Sequence, residues 1–443
     1  MHFRNSRTLL GLSMACFFIF SGCATFRPVP LSDVPFMERA QTRSEDKVRV
    51  TVAALTPEES KKVFGVDVAS RDVQPVWVEI ENKSENPYWI FPSRLDPDYY
   101  SPAEVAYMKR FRFSPSKNNK MRAHFEQMDF PRLIPPGETA FGFIHTGTDP
   151  GLKYINVTLI GFEGPETFHF VVKVPGIKAD YQEVDLDALY TPGEIVNCDE
   201  EQLRAALENM PCCTTNRRGT RNADPLNLVF IGDVKALVTA LVGGGWDVTE
   251  RMSLGSVWRT VRSSLFGKRY RHAPVSSLYV FGRRQDAAFQ KARQTVDERN
   301  HLRVWLTPLR FEGIPVWIGQ ISRDIGVKFT LKTGFLVTHA IDPDVDNDRF
   351  YLLQNLADAE ALAKLGYVRG VGEAAPDDPR YNLGGDPYFT DGLRTVMVCT
   401  ELPVNFSQLE WFDWEFPPGT ESYRERIVNQ PRPSSGQREK EEK

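Results

Sequence analysis

The segment Val48-Arg49-Val50-Thr51-Val52 alternates apolar and polar side chains with a period of two, and Val76-Trp77-Val78-Glu79-Ile80-Glu81 does so again. That period belongs to strands, whose successive side chains leave opposite faces of a sheet. Turn-forming residues punctuate the same region. Asn82-Lys83-Ser84 closes the second run, and Pro135-Pro136-Gly137-Glu138 precedes the apolar segment Ala140–Ile144. Tyr154–Ile160 and Phe168–Val174 read as two further strands bounded by Gly and Pro. Short strands at turn-limited spacing predict an all-β sandwich over residues 48–175. Pro102–Met128 interrupts it with a helical stretch at Ala103–Arg110 and a basic loop, expected as an excursion from the sandwich.

The N-terminus constrains location. Met1–Thr8 carries Arg4 and Arg7, Leu9–Phe20 is an almost unbroken apolar run of 12 residues, and Phe20-Ser21-Gly22-Cys23 follows. A basic start, a short apolar run and small residues form an export signal. The run falls short of the ~20 residues that span a bilayer as a helix. Ser-Gly before a Cys looks like a bacterial lipobox, with Phe20 where Leu is usual. It implies a signal peptide over 1–22, lipid (palmitate among it) at Cys23 and a tether over 23–47, rich in Pro at first. The expected location is the cell envelope, with the membrane partner reached through the lipid anchor. Ala24 after the Cys points to the outer membrane, facing the periplasm, in a Gram-negative cell.

The formal net charge of −4 argues against nucleic acid as a partner. The charge is unevenly placed. Between Arg251 and Lys332 there are 16 Lys/Arg against 5 Asp/Glu, a net of +11. Such a block predicts an anionic partner, an envelope lipid or polymer. Cys198, Cys212, Cys213 and Cys399 follow the signal and Cys23, with no Cys-x-x-Cys pair to suggest zinc or redox chemistry. Cys212 and Cys213 are adjacent and not expected to bond each other. Cys198 is expected to pair with one of them.

Residues 176–223 read as a connector containing a helix over Asp199–Met210. Residues 224–402 read as an α+β domain. Asp233 is placed to cap a helix through Leu241, stopped by Gly243-Gly244-Gly245. Leu226–Ile231, Ser277–Arg283, His301–Phe311, Val316–Ser322 and Thr395–Thr400 read as strands. Asp342–Leu365 reads as one helix ended by Gly366, and Pro376–Asp391 as a projecting loop. Residues 403–443 are expected to be a tail, disordered from about 431. The fold class is thus mixed, an all-β sandwich followed by an α+β domain.

Motifs of the second domain resemble a known family. They run from Asp224-Pro225-Leu226-Asn227-Leu228-Val229-Phe230-Ile231-Gly232 and Gly245-Trp246 through Leu278-Tyr279-Val280-Phe281-Gly282-Arg283-Arg284-Gln285-Asp286. His301-Leu302-Arg303-Val304-Trp305, Val316-Trp317-Ile318-Gly319, Ser322-Arg323-Asp324-Ile325-Gly326 and His339-Ala340-Ile341-Asp342-Pro343 follow in order. Over about Asp224–Val371 the chain resembles the LssY C-terminal domain. Family members carry it beside membrane-bound phosphatase or DedA-like segments, and the resemblance implies no agreed activity.

Four arginines in these motifs, Arg283, Arg284, Arg303 and Arg323, are candidate anion-binding residues, because guanidinium forks match phosphate and carboxylate oxygens. His301, His339 and Asp324 are candidate acid/base groups. Asp342, Asp344, Asp346 and Asp348 repeat at alternate positions, but the sixth residue is Asn347 and the twelfth Leu353, so the EF-hand pattern fails. Pro343 after Asp342 reads instead as a helix start with acids at the positive end of the dipole. No metal site or cofactor is expected. No Gly-x-Ser-x-Gly, His-Glu-x-x-His or phosphate-binding loop is present. Two functions fit: a lipid-anchored binding or accessory module for an anionic envelope ligand, or a hydrolase of a phosphate-containing lipid or polymer using His, Arg and Asp of the α+β domain.

Overall fold

The computed structural model describes residues 26–149, 151–175, 180–249, 275–292, 299–329, 337–420, 422 and 424. The expected signal over 1–22, Cys23, part of the basic stretch and the tail beyond 424 lie outside the described residues. The chain is strand-rich, with antiparallel sheets in its first part and a large mixed sheet with helices in its second.

The strands of the first part are β1 (Gln41–Glu45), β2 (Val48–Ala54), β3 (Val73–Asn82), β4 (Tyr88–Ile90), β5 (Leu133–Ile134), β6 (Thr139–Gly147), β7 (Gly151–Gly161) and β8 (Gly164–Val174). They pair as two sheets, β1-β2-β3-β6 and β5-β4-β7-β8. The alternation read from the sequence sets the faces. Val48, Val50, Val52, Val76, Val78 and Ile80 of the first sheet meet Ile155, Val157, Leu159, Phe168, Phe170 and Val172 of the second in one core. This is the expected sandwich.

The first sheet is buried on its outer face too. Helices α1 (Pro57–Phe64), α3 (Pro102–Met108) and α4 (Pro115–Gln127) cover it, while the short α2 (Pro92–Leu95) packs on β7. Phe64, Val105, Met121 and Phe125 close over Ala53, Trp77 and Phe143. Thr56 and Ser101 start α1 and α3 with reciprocal capping boxes to Glu59 and Glu104, each with Pro at the first helical turn. The Pro102–Met128 segment is therefore a helical layer, and the basic loop expected there is largely α4.

The tether read over 23–47 is corrected from residue 26 onward. Val34 and Phe36 are buried in the helix-covered core, and β1 pairs with β2 along its whole length. The prolines that suggested a linker instead frame two short 3-10 turns carrying these apolar side chains.

The second part is built from β9 (Val196–Cys198), α5 (Glu200–Glu208), β10 (Cys213–Thr215), β11 (Asn222–Pro225), β12 (Leu228–Ile231), α6 (Val234–Gly243), β13 (Asp247–Val248), β14 (Tyr279–Val280), β15 (Arg283–Arg284), β16 (Ala287–Ala292), β17 (Arg299–Phe311), β18 (Ile314–Phe329), β19 (Val337–Ile341), α7 (Val345–Asp358), β20 (Leu362–Arg369), β21 (Arg380–Tyr381), β22 (Pro387–Tyr388), β23 (Leu393–Cys399) and β24 (Glu410–Trp411). The main sheet runs β13-β16-β17-β18-β12-β23-β20-β24, with β19 on β18 and β9 on β17. Its centre is the long β17–β18 hairpin. The turn at Glu312-Gly313 has φ of 50° and 83°, the doubly positive backbone that a twisted two-residue hairpin needs. Helices α6 and α7 pack on one face over Phe230, Leu302, Val304 and Trp317. On the other face lie α5, a smaller sheet in the order β11-β10-β14-β15, and Phe412 with Trp414.

Four further expectations change here. Residues 196–225 are integral to the second domain, since β9 pairs with β17 and Leu203 and Leu207 are buried. The helix expected over Asp342–Leu365 ends at Asp358, and Leu362–Arg369 pairs with β23 as a strand. Leu362, Leu365 and Val368 are spaced by three as in a helix, and the open edge of β23 overrides that spacing. Residues 403–415 are packed structure, because β24 pairs with β20 and Phe412 is fully buried. The loop Pro376–Asp391 folds inward, with Asp386, Tyr388 and Thr390 buried.

Candidate functional site

Alternation along β17 and β18 sorts the candidate residues onto two faces of the sheet. Arg303 stands opposite Gln320, and His301 opposite Ser322. On this face His301 Nε2 lies 2.7 Å from Asp324 Oδ2, and Arg299 Nε 3.9 Å from the same oxygen. Arg303 donates to Gln320 Oε1 at 2.7 Å and to the carbonyl of Ser276 at 2.9 Å. Arg299 also reaches Gln290 Oε1 at 2.9 Å. All of these side chains are buried. A sheet face that could have been apolar instead carries a row of ionisable groups, which is costly unless each is paired or used.

Asp224, from the first motif of the second domain, belongs to the same cluster. It is buried, and its carboxyl is pushed up by desolvation against the pull of Arg303, with Asp386 and Asp324 adding to the rise. Asn382 and Asp386 come from the inward-folded loop. His301 moves the other way. Burial lowers it to about 4, outweighing the support of Asp324. It is therefore neutral near pH 7, and its Nε2–H donates to the carboxylate. Three atoms of the cluster, His301 Nδ1, Gln320 Nε2 and Asp224 Oδ1, are buried without a hydrogen-bond partner among the described residues.

Arg323 lies on the opposite face. Its Nε sits 3.1 Å from Asn300 Oδ1 and 3.1 Å from Asp348, and its guanidinium stacks over Tyr351. Burial raises Asp348 to about 7 although Arg323 pulls it down. Arg283 is spent as well. Its fork meets both oxygens of buried Asp286 at 2.9 Å, and it donates to the Leu306 carbonyl at 2.6 Å. Arg284 is half-buried opposite Tyr279 on β15. The four expected anion-binding arginines thus do not form one floor, because pleat alternation and buried carboxylates separate them. His339 pairs through its backbone with Val327, away from His301, and its side chain lies outside the described residues.

The acid repeat has structural roles throughout. Asp344, rather than Asp342, caps α7 by accepting from Asn347 N. Asp346 accepts from Thr390 Oγ1 and the Asp391 amide at 2.8 and 2.6 Å. Among the described residues no cluster of His, Cys, Asp or Glu could hold a metal ion.

Sequence reasoning missed three buried charges. Asp224 precedes a strand like any polar boundary residue. Arg349 holds Asp391 through two bonds of 3.0 and 2.7 Å. Arg394 donates to the carbonyls of Leu226, Pro211, Gly370, Met210 and Leu207. Only partners distant in sequence reveal these roles. The cysteines also differ from expectation. Cys212 and Cys213 form a vicinal disulfide, while Cys198 and Cys399 are free and buried. Cys198 is occupied in pairing β9 with β17, away from β10.

A cavity of about 660 Å³ lies between the two domains, lined by Asp96, Asp149, Lys153, Gly244, Lys291 and Asp358 among others. Its lysines are engaged: Lys153 with Asp149 at 2.8 Å and Lys291 with Asn355 at 2.9 Å.

The fold and this polar face define a β-sandwich joined to an α+β domain with a buried His–Asp pair on its central hairpin. Residues 205–393 match the family model described as LssY C-terminus, so the resemblance read from the motifs is borne out and extends at both ends. No curated protein matches the chain, and no solved structure does.

Proposed function

We propose that this is a lipid-anchored cell-envelope protein whose second domain takes an anionic envelope ligand, a phosphate- or carboxylate-bearing lipid or polymer, on the polar face of β17 and β18. The observation that carries this reading is the set of unpartnered buried atoms, His301 Nδ1, Gln320 Nε2 and Asp224 Oδ1, beside Arg299 and Arg303. An unsatisfied buried polar group costs about 1–3 kcal/mol. A hydrogen-phosphate group would offset that cost: its oxygens accept from Gln320, and its hydroxyl donates to His301 Nδ1. Among the described residues no helix is long and apolar enough to cross a membrane, which is compatible with attachment through Cys23.

One observation favours the second reading, hydrolysis of a phosphate ester. Asp224 is displaced toward its acid form and His301 toward its neutral base form within one cluster. Opposed displacements of this kind are how acid and base roles are assigned at one pH. His301, oriented by Asp324, would draw a proton from water, and Asp224 would supply one to the leaving oxygen.

Titration with inorganic phosphate and glycerol phosphate, followed by the side-chain NMR signals of His301, tests binding. Saturable shifts that Gln320→Leu weakens are expected. Signals indifferent to millimolar phosphate would remove the site. Turnover of an aryl phosphate that His301→Gln abolishes, with phosphate binding retained, would select the hydrolase.

A further inference from the structure

The first domain carries a surface that combines cations with exposed rings. Between Glu104 and Glu126 the chain has six cations (Lys109, Arg110, Arg112, Lys117, Lys120 and Arg122) and no acid. The segment is the end of α3, a tight connection and most of α4. At its tip Phe113 is 92% exposed and Tyr107 64%. Phe113 also has φ of 61°, a conformation rare for a bulky side chain, which turns the ring outward instead of into the core that takes Phe111. A backbone outlier that exposes an apolar ring is a pointer to function. The cations lie against the rings: Arg110 sits 4.0 Å over Tyr107, Arg112 5.4 Å over Phe113 and Lys117 4.8 Å over Phe111.

We propose that this α3–α4 tip is a docking surface for an anionic phospholipid bilayer, with Phe113 and Tyr107 at the headgroup level and Arg110, Arg112 and Lys120 on the lipid phosphates. Interfacial membrane contacts combine these two features, aromatic rings for the acyl boundary and cations for acidic headgroups. A soluble polyanion would use the cations but gives no reason for an outward ring. Chain geometry points the same way. Phe26, the first described residue, packs edge-on against His124 near the C-terminal end of α4 at 5.8 Å. Cys23 is three residues earlier, within about 11 Å of Phe26 even when extended. A lipid there would hold the tip at the bilayer, since one anchor is made firm by a second, basic contact. The docking surface does not depend on the phosphate site of the second domain.

The test uses the full chain with Cys16→Ser and Cys23→Ser and an environment-sensitive dye on Phe113→Cys. A second sample carries the dye on Phe406→Cys, a position that is also exposed, 70%, but lies in the second domain. With vesicles containing phosphatidylglycerol, the dye at 113 is expected to shift blue and to be quenched by brominated acyl chains, and the dye at 406 to do neither. Both effects should vanish in neutral phosphatidylcholine. They should also vanish near 1 M salt, where the Debye length falls to about 3 Å. Arg110→Glu with Arg112→Glu should weaken the contact at least about tenfold, read as the lipid concentration needed for half the shift. Both residues are exposed, so an unchanged melting temperature is expected. A dye at 113 that stays in water while the protein remains on the vesicles overturns the proposal. So does an equal shift in neutral vesicles. A shift produced by soluble polyphosphate, with no quenching by bromolipid, overturns it in favour of a polymer. Phosphate indifference at His301 would leave it standing.

Discussion

His301 and Asp324 meet at 2.7 Å on a face of the sheet where neither has water to fall back on. The carboxylate fixes the imidazole with its proton on Nε2 and leaves Nδ1 as the open atom. Desolvation keeps the ring neutral far below the usual histidine range. The His301 ring nitrogens should therefore report one tautomer and no protonation down to about pH 5 by ¹⁵N NMR. Asp324→Asn keeps an acceptor for Nε2–H but removes the charge that supports the imidazolium, so the titration should move lower still. A His301 that protonates near its ordinary value would mean that the pair is open to solvent.

Arg349 ties the inward loop to α7. It bonds both oxygens of Asp391 and the carbonyl of Leu393. Arg349→Met strands two partly buried carboxylates, Asp346 and Asp391, and should cost up to about 3 kcal/mol in urea unfolding. Arg349→Lys should recover little, because one ammonium cannot span the carboxylate and the carbonyl. Full rescue by Lys would show that charge alone matters there.

His145 sits between Phe64 and Phe125, at ring distances of 5.0 and 5.5 Å, with neither nitrogen hydrogen-bonded among the described residues. Burial lowers it to about 3. A depressed folded-state value means that the unfolded chain binds a proton first. Stability is thus full above the unfolded value near 6.5 and falls as pH drops toward 3. At pH 5 this residue alone should remove about 2 kcal/mol relative to neutral pH. His145→Leu should flatten that part of the curve by calorimetry between about pH 7 and pH 5. An unchanged slope would assign the acid sensitivity elsewhere.

Gly366 of β20 lies under Phe412, and a Cβ there would come within 2.6 Å of the Phe412 Cβ. Phe412→Ala should destabilise the second domain by about 3–5 kcal/mol, the usual range for a buried aromatic. Gly366→Ala should also destabilise, and Phe412→Ala should relieve it only in part, because it removes the ring atoms at 3.0 and 3.2 Å but keeps the Cβ at 2.6 Å. A pair that costs far less than the sum would show that the ring contacts dominate.

The vicinal disulfide is open to a mass measurement. Alkylation of the unfolded, unreduced chain should modify Cys198 and Cys399 and spare Cys212 and Cys213. Four modified cysteines in that region would refute the bond.

Local pattern alone determined much of this protein. Period two placed β2, β3 and the inner faces of the sandwich, because one buried side dictates which residues alternate. Asp233 marked a helix start, since capping is a matter of a few adjacent atoms. Ordered motifs from Asp224 onward pointed to the family whose model matches residues 205–393. Tertiary structure decided the rest. Leu362–Arg369 became a strand only because β23 offered an edge, and residues 26–47 and 403–415 became structure only because distant cores had room for Phe36 and Phe412. The candidate site divides along the same line. The types of His301, Asp324 and Arg303 were legible, and alternation could have put Arg323 on the other face once the register was known. Asp224, Asp386 and Gln320 join the site through loops and pairings far apart in sequence, and a buried charge is recognised only by the partners that the fold brings to it.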